Sequence, residues 1–417
     1  MTAVPTPPSR RRFLGGALGV AGAVAAGGAG FGVGEVVRRH PAEAAGPDRV
    51  PVYGPHQAGI ATPAQDRLVF AAFDVTAADR SAVAALLGSW AAAAAQLTAG
   101  LPVGGGVDPQ RPPLDTGEAD GLPPARLTVT VGFGPSLFDH RFGLASRRPA
   151  ALADLPALPG DALDAARTGG DLGVQACSDD PQVAFHVVRN FARLARGTAV
   201  LRWLQLGFGR TSTTSEAQST PRNLMGFKDG TRNIKAEDAQ ALADHVWVGA
   251  RTDQPWMTGG SYAVVRRIRM LVESWDTDSL ADQERVFGRT KDTGAPLTGT
   301  AEFDQPDLAA KDAAGLPVID PNAHIRLAAP ETNGGQKLLR RGYSYTDGVD
   351  PATNLLDAGL FFIAYQQDPR RQFVPIQSRL GGTDNLNEYI RHTGSALFAM
   401  PPGLSGPGDW YGKPLFS

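Results

Sequence analysis

Apolar and polar residues alternate through Arg67 to Val75, RLVFAAFDV, in the period-two rhythm of a strand, and the apolar share is high enough to expect burial. The stretch from Thr76 to Gln96 is filled with Ala and Leu behind Asp79, which predicts a helix capped by that aspartate. Arg126 to Gly132, RLTVTVG, is strand-like through its β-branched residues. A short strand from Gly173 to Ala176, a helix from Pro181 to Arg196 opened by Asp180 and Pro181, and a strand from Ala199 to Gly207 complete the order β-α-β-β-α-β. A similar pass follows. Ser261 to Glu273 is a β-rich run, Ser279 to Phe287 is helical, Leu338 to Tyr345 and Gly359 to Tyr365 are strands, and a helix lies between Asp368 and Leu380. The pattern predicts an α+β chain of two ferredoxin-like halves with antiparallel sheets, residues 45–222 and 223–417, joined through the loop from Thr211 to Asn223. Residues 100–124 and 294–317 are rich in Gly, Pro and Asp and are expected as loops.

Ahead of the first strand, Arg10 to Arg12 precede an Ala/Gly/Val run from Phe13 to about Val33, and Ala42-Glu43-Ala44 offers a small-residue cleavage point. This layout is that of an export signal over residues 1–44. SRRRFLG resembles the twin-arginine signal, which implies the twin-arginine export machinery as a partner and a periplasmic or extracellular location. The Gly and Ala content argues against a membrane anchor, and no later segment is expected to reach the roughly 20 apolar residues of a span.

Composition narrows the chemistry. With 40 basic and 42 acidic residues among 417, nothing suggests nucleic acid or an anionic membrane as partner. One cysteine, Cys177, excludes an internal disulfide, an iron–sulfur cluster and a CxxCH haem attachment. Any metal chemistry then rests on His, Asp or Glu, or on a cofactor held without covalent bonds.

The seven histidines, His40, His56, His140, His186, His245, His324 and His392, form no HExxH pair. His186, in VAFHVV, reads as a core residue, and His245 and His392 as surface positions. His324 lies in PNAHIRLAAPETNGG, a turn-rich segment running towards a charged strand, from which it can reach a cavity. In NLMGFKDGTRN, Gly226 and Gly230 bracket Asp229, allowing a tight turn and close backbone approach to a ligand; the plainer reading is a capped turn. In LLRRGYSYTDG, Arg340 and Arg341 are adjacent on a strand and point to opposite faces, so that one can serve an interior site.

HQAGI (56–60), GFKDGTRN (226–233), HIRLAAP (324–330), RRGYSY (340–345) and GLFFIAYQ (359–366) occur in that order. Together they resemble the dye-decolorising peroxidase family, in the exported subgroup that includes bacterial deferrochelatases, over nearly the whole chain from Val52 to Pro402. The resemblance implies paired ferredoxin-like halves and one non-covalent haem b per chain, bound in the C-terminal half. It implies His324 as proximal iron ligand, Asp229 as distal acid–base residue, and Arg341 as distal arginine with Arg340 as the alternative. Leu360 and Phe362 match the apolar pair walling the distal pocket, and Gly230, Thr231 and Arg232 the stretch touching the porphyrin edge or a propionate. The acidic partner of His324 is either Asp384 or Glu388, and Tyr345, Tyr389, Trp247 and Trp410 are candidate surface relays or simple packing. The activity implied is oxidation of dyes, phenolics or other organic or metal-ion reductants by hydrogen peroxide, by a chain compatible with a homo-oligomer. The alternative is deferrochelatase, releasing iron from haem with the porphyrin intact. A haem carrier without turnover and a ferredoxin-like domain without cofactor are the plainer competing readings.

Overall fold

The computed structural model describes residues 48–105 and 108–417; the expected export signal and its cleavage point lie outside the described residues. The N-terminal half runs β1 (Arg67–Val75), α1 (Arg80–Thr98), β2 (Thr128–Phe133), β3 (Leu172–Ser178), α2 (Pro181–Leu194) and β4 (Ala199–Arg210). Both helices begin where the caps predict: the Asp79 carboxylate accepts from Ala82 N, and that of Asp180 from Gln182 N and Val183 N. After α3 (Ala239–His245) the C-terminal half runs β5 (Ser261–Met270), α4 (Val272–Trp275), α5 (Leu280–Phe287), α6 (His324–Ala328), β6 (Leu339–Arg340), β7 (Tyr343–Val349), β8 (Leu356–Gln366), α7 (Phe373–Thr383) and β9 (Ile390–Met400), with a final turn α8 (Lys413–Phe416). Residues 100–105, 108–124 and 294–317 contain no helix or strand.

The nine strands form one sheet in the order β5-β9-β2-β3-β1-β4-β7-β8-β6, and a β5–β8 pairing closes all but β6 into a ring. Each half contributes four antiparallel ring strands in the same relation, β2-β3-β1-β4 and β7-β8-β5-β9, which is the duplicated ferredoxin-like arrangement. The seams between the halves are thin. β2 meets β9 only at Phe133↔Ala399, and β4 meets β7 only at Phe208↔Ser344 and Arg210↔Tyr343. The ring is therefore held together mainly by side chains inside it, where Phe70 touches Phe361 and Phe398 at centroid distances of 5.5 and 5.7 Å.

The outer faces of the two halves differ. In the first, α1 and α2 lie directly on the sheet. Ala91, Ala93 and Ala94 keep α1 close, and Trp90 stacks on Phe191 at 4.8 Å. Contrary to the sequence expectation, α1 is long and apolar enough to cross a membrane by length and composition; half of it is buried in this core, which accounts for its apolar character. In the second half only α7 lies in the corresponding place. Residues 271–338 make a long excursion carrying α4, α5 and α6, and a cavity opens between α5, α6 and the sheet.

Two local expectations fail. The strand foreseen over Leu338 to Tyr345 is divided into β6 and β7 at Arg341 and Gly342, although both pieces pair with β8 in one register: Arg341 N bonds Ile363 O at 2.8 Å, and the Gly342 carbonyl accepts from Thr211 N at 2.9 Å. A Cβ at position 342 would lie 2.7 Å from Thr211 Oγ1, so glycine permits this close approach. The segment after His324 is a short helix, α6, rather than the approach to a strand.

Candidate functional site

The cavity has a volume of about 230 Å³ and opens to solvent through a wide mouth. Strand alternation supplies its apolar wall. Leu360 and Phe362 on β8, with Ile268 and Met270 on β5, face the cavity, while Phe361 and Ile363 face the ring interior. Phe373, Ile376 and Leu380 of α7 close another side.

His324 is the first residue of α6, so its ring leaves the helix end instead of packing along it. Its Nδ1 lies 2.6 Å from Asp384 Oδ2, and 31% of the side chain is open to the cavity. Asp384 ends α7 and is fixed in turn, for its Oδ1 accepts from Leu386 N at 2.9 Å. Asn385 N bonds Asn322 O at 3.1 Å, tying the end of α7 to the turn before His324. Glu388, the other acid considered, is exposed in the same turn. With Nδ1–H donated to Asp384, Nε2 carries a free lone pair. Burial alone would lower the His324 pKa; the charge and hydrogen bond of Asp384, with a contribution from Asp229, outweigh it and raise the value.

Asp229 lies on the loop 223–233. Its backbone is held by Asp229 N to Pro221 O at 2.9 Å, and the turns on either side need φ +82° at Gly226 and +92° at Gly230. A Cβ at Gly230 would stand 2.9 Å from Ser212 Cα, so the loop is pressed against residues 211–213. Asp229 Oδ1 receives a 2.6 Å hydrogen bond from Arg340 Nη1, and both residues line the cavity.

Arg341, the arginine the resemblance selected, does not reach the cavity. It is fully buried on the opposite face, its guanidinium donating to Thr62 O and Gln65 Oε1 near Cys177, Tyr343 and Tyr365. The two arginines do point to opposite faces, but it is Arg340, not Arg341, that lines the cavity. Leu339, Tyr343 and Tyr345 lie inside the ring, and Arg341 shares their side, whereas Arg340 is turned towards Asp229.

Gly230, Thr231 and Arg232 line the cavity as expected. Arg232 is paired with Glu331 by two bonds of 2.6 and 3.1 Å, and Thr231 Oγ1 donates to Glu302 at 3.2 Å. Arg289 was not foreseen. It is 6% exposed, lines the cavity, donates to the carbonyls of Gly294 and Glu302, and makes no ion pair among the described residues. Burial, then the neighbouring charge of Arg232, pushes its pKa down, which marks a cation lacking a counterion. His392 was also misread: it is 3% exposed and lines the cavity, with Arg266 Nε donating to its Nδ1 at 3.4 Å. His186 is a core residue as read, bonded to Glu118 at 3.1 Å.

Of the relay candidates, Tyr345 is buried under Arg267 and Tyr389 donates to the Asp278 carboxylate. Trp247 stacks on His56 at 3.8 Å, and Trp410 packs near Phe416 at 5.5 Å. No cluster of three or more His, Cys, Asp or Glu able to hold a bare metal ion occurs among the described residues. The cavity instead suits a large, flat, anionic ligand carrying its own metal: apolar walls, one imidazole with a free nitrogen, and a buried arginine without a counterion.

Residues 57–209 match the family model of the Dyp-type peroxidase N-terminal domain, and residues 220–405 that of its C-terminal domain. The structure is similar to the DyP-type peroxidase of Streptomyces coelicolor at 44% identity and TM-score 0.81, covering 88% of this chain and 97% of that one. It is likewise similar to ferric DtpA of Streptomyces lividans at 44% and 0.81, with the same coverage, and to the DyP-type peroxidase of Cellulomonas bogoriensis at 43% and 0.79, covering 89% and 100%. The deferrochelatase of Escherichia coli K12 is 39% identical over 88% of this chain and 87% of its own length, and that of Yersinia pestis is 39% identical over 98% and 95%. Two family models spanning both halves, and relatives near 40% identity along most of the chain, show that the protein belongs to the DyP-type peroxidase family.

Proposed function

We propose that this protein is a haem peroxidase in which His324 ligates the iron and the Asp229–Arg340 pair handles hydrogen peroxide. The observation that carries the reading is the gathering of three groups in one cavity: an Asp384-held imidazole with free Nε2, a carboxylate, and a guanidinium 2.6 Å from that carboxylate. When bound, haem supplies the redox-active iron at which peroxide is reduced and donors are oxidised one electron at a time.

The chain's own residues supply the rest. Asp384 fixes the tautomer of His324 and makes Nε2 a stronger donor. Arg289, with Arg232 and Lys337 on the same lining, would hold the two propionates of haem by charge and hydrogen bond. Asp229 takes a proton from one peroxide oxygen and returns it to the departing one, a transfer that needs a base within one hydrogen bond or one water. Arg340 is permanently cationic and stabilises negative charge on the oxygen that leaves. Leu360 and Phe362 narrow the space beside that pair, admitting peroxide and turning bulky dyes or phenolics away to be oxidised from outside. A reductant of organic or metal-ion type completes turnover.

The deferrochelatase relatives favour a second reading, release of iron from haem with an intact porphyrin, which would use the same cavity. Export by the twin-arginine route after cofactor loading belongs to the proposal, and replacing Arg10 and Arg11 with Lys should hold the protein in the cytoplasm. The central experiment titrates purified protein with haem and then adds peroxide. Stoichiometric haem binding that His324→Ala abolishes, with peroxide-dependent dye oxidation, supports the peroxidase. Fluorescent free protoporphyrin in place of dye oxidation would support the second reading, and absence of haem binding would overturn both.

A further inference from the structure

The Asp229–Arg340 pair joins two segments 111 residues apart in sequence. One is a loop that needs two left-handed glycines, and the other is a two-residue strand at the end of the sheet. Peroxide chemistry demands that the two groups be placed to a fraction of an ångström. A third side chain bridges them. Asn233 lies on the same loop four residues after Asp229 and is 7% exposed. Its Oδ1 accepts from Arg340 N at 2.7 Å, and its Nδ2 donates to Arg340 O at 2.7 Å. The amide thus pairs with both backbone groups of Arg340 as a neighbouring strand would. Its second Nδ2 proton goes to Thr213 O at 2.9 Å, reaching the segment against which Gly230 is pressed. Asn233 N also bonds Gly230 O at 3.0 Å, which closes the turn directly after Asp229.

We infer that Asn233 is a positioning residue for the peroxide step, setting the distance and angle between the Arg340 guanidinium and the Asp229 carboxylate. This rests on the proposed roles of Asp229 and Arg340. Every polar atom of the Asn233 side chain is used: one acceptor bond and two donor bonds, all to main chain. Asp would keep the acceptor and lose both donors. Gln would carry the amide about one bond too far. Ala would leave the Arg340 N–H and carbonyl without these partners. In each case Arg340 remains present and charged, but at least one of the bonds pinning its backbone to the loop that carries its partner is lost or displaced.

The test is a double-mutant cycle on haem-loaded protein, reading the second-order rate of the reaction with peroxide by stopped flow. Asn233→Ala should slow that rate on the order of 10²-fold, the scale of an ångström-sized misplacement, while haem affinity and the resting absorption spectrum stay unchanged. In an Arg340→Ala background the same substitution should change the rate less than about threefold, because the group it positions is gone. A second readout needs no haem: amide hydrogen exchange in the segment 338–342 of the apo-protein should accelerate in Asn233→Ala. If Asn233→Ala does not fold, Asn233→Asp enters the same cycle.

A full Asn233 effect persisting in the Arg340→Ala background overturns the inference and leaves the roles of Asp229 and Arg340 standing. If Arg340→Ala and Asp229→Asn alone leave the peroxide rate unaltered, the underlying reading fails instead. Unchanged exchange at 338–342 in both Asn233 variants likewise overturns the inference.

Discussion

Exchanging the two adjacent arginines one at a time separates the face that carries chemistry from the face that carries packing. Arg340 Nη1 sits 2.6 Å from Asp229 Oδ1, with 29% and 15% of the two side chains exposed, so the pair is only partly screened by solvent. A unit charge about 4 Å from a developing negative charge, at an effective dielectric of about 20, contributes roughly 4 kcal/mol. Allowing for residual exposure leaves roughly 2–4 kcal/mol, or about 30- to 1000-fold in rate. Arg340→Ala should therefore slow the peroxide reaction by that factor in stopped-flow mixing while haem still binds. Arg341→Met is the contrasting perturbation. It strands Gln65 Oε1 and Thr62 O at about 1–3 kcal/mol each, but removes a fully buried cation that has no carboxylate partner among the described residues, a relief of similar size. Its unfolding free energy should stay within about 2 kcal/mol of the parent, and its peroxide rate within about threefold. Should Arg341→Met cost as much peroxide reactivity as Arg340→Ala, the division between the two faces is wrong.

Three further outcomes follow from the same geometry. Asp229→Asn keeps the shape and an acceptor for Arg340 but no basic oxygen, so the peroxide rate should fall about 10²- to 10⁴-fold with haem binding intact; a normal rate would remove Asp229 from the proton transfer. Asp384→Asn weakens the hold on His324 Nδ1 and should reduce haem affinity about 10- to 100-fold in a spectroscopic titration, whereas Glu388→Gln should leave it unchanged. Burial, then the charge of Arg266, holds the His392 imidazole down to about 4 from 6.5, so the folded apo-protein binds fewer protons here than the unfolded chain. That contribution is lost as pH falls from about 6.5 to 4, by about 3 kcal/mol at 1.36 kcal/mol per pKa unit. Urea unfolding of His392→Gln should be correspondingly less pH-sensitive over that range, and parallel curves would contradict the assignment.

Much of the scaffold was legible because it depends on local pattern. β1 spans Arg67–Val75 as its alternation predicts, and α2 starts behind Asp180 because that aspartate and Pro181 form a cap independent of distant contacts. The cavity residues on β8 follow the same rule, Leu360 and Phe362 on one face and Phe361 on the other. What could not be read depends on which face meets which neighbour. Alternation separates Arg340 from Arg341 without naming the cavity side, although Arg341 shares its parity with Leu339, Tyr343 and Tyr345, a face bulky enough to mark the interior. His392 looks like a surface position until β9 is placed beside α7 and the cavity. Arg289 follows a helix-ending glycine in a loop, and only the fold brings it to the cavity lining without a counterion. The choice between Asp384 and Glu388 turned on which acid caps the turn after α7, a matter of one rotation of the chain.

The unequal outer faces of the two repeats carry a further consequence. One copy laid an alanine-rich helix flat on its sheet and filled the space; the other replaced that helix with a looping excursion and left a hollow. Every residue lining the hollow falls between Asn223 and His392, so the first copy contributes no side chain to it. Random substitution should then sort by half. Harmful changes before residue 210 would chiefly lower the yield of folded protein, and those after residue 220 would more often give folded protein with altered chemistry. A gene duplication of this kind frees one repeat to drift towards new reactions while its twin keeps the shell intact.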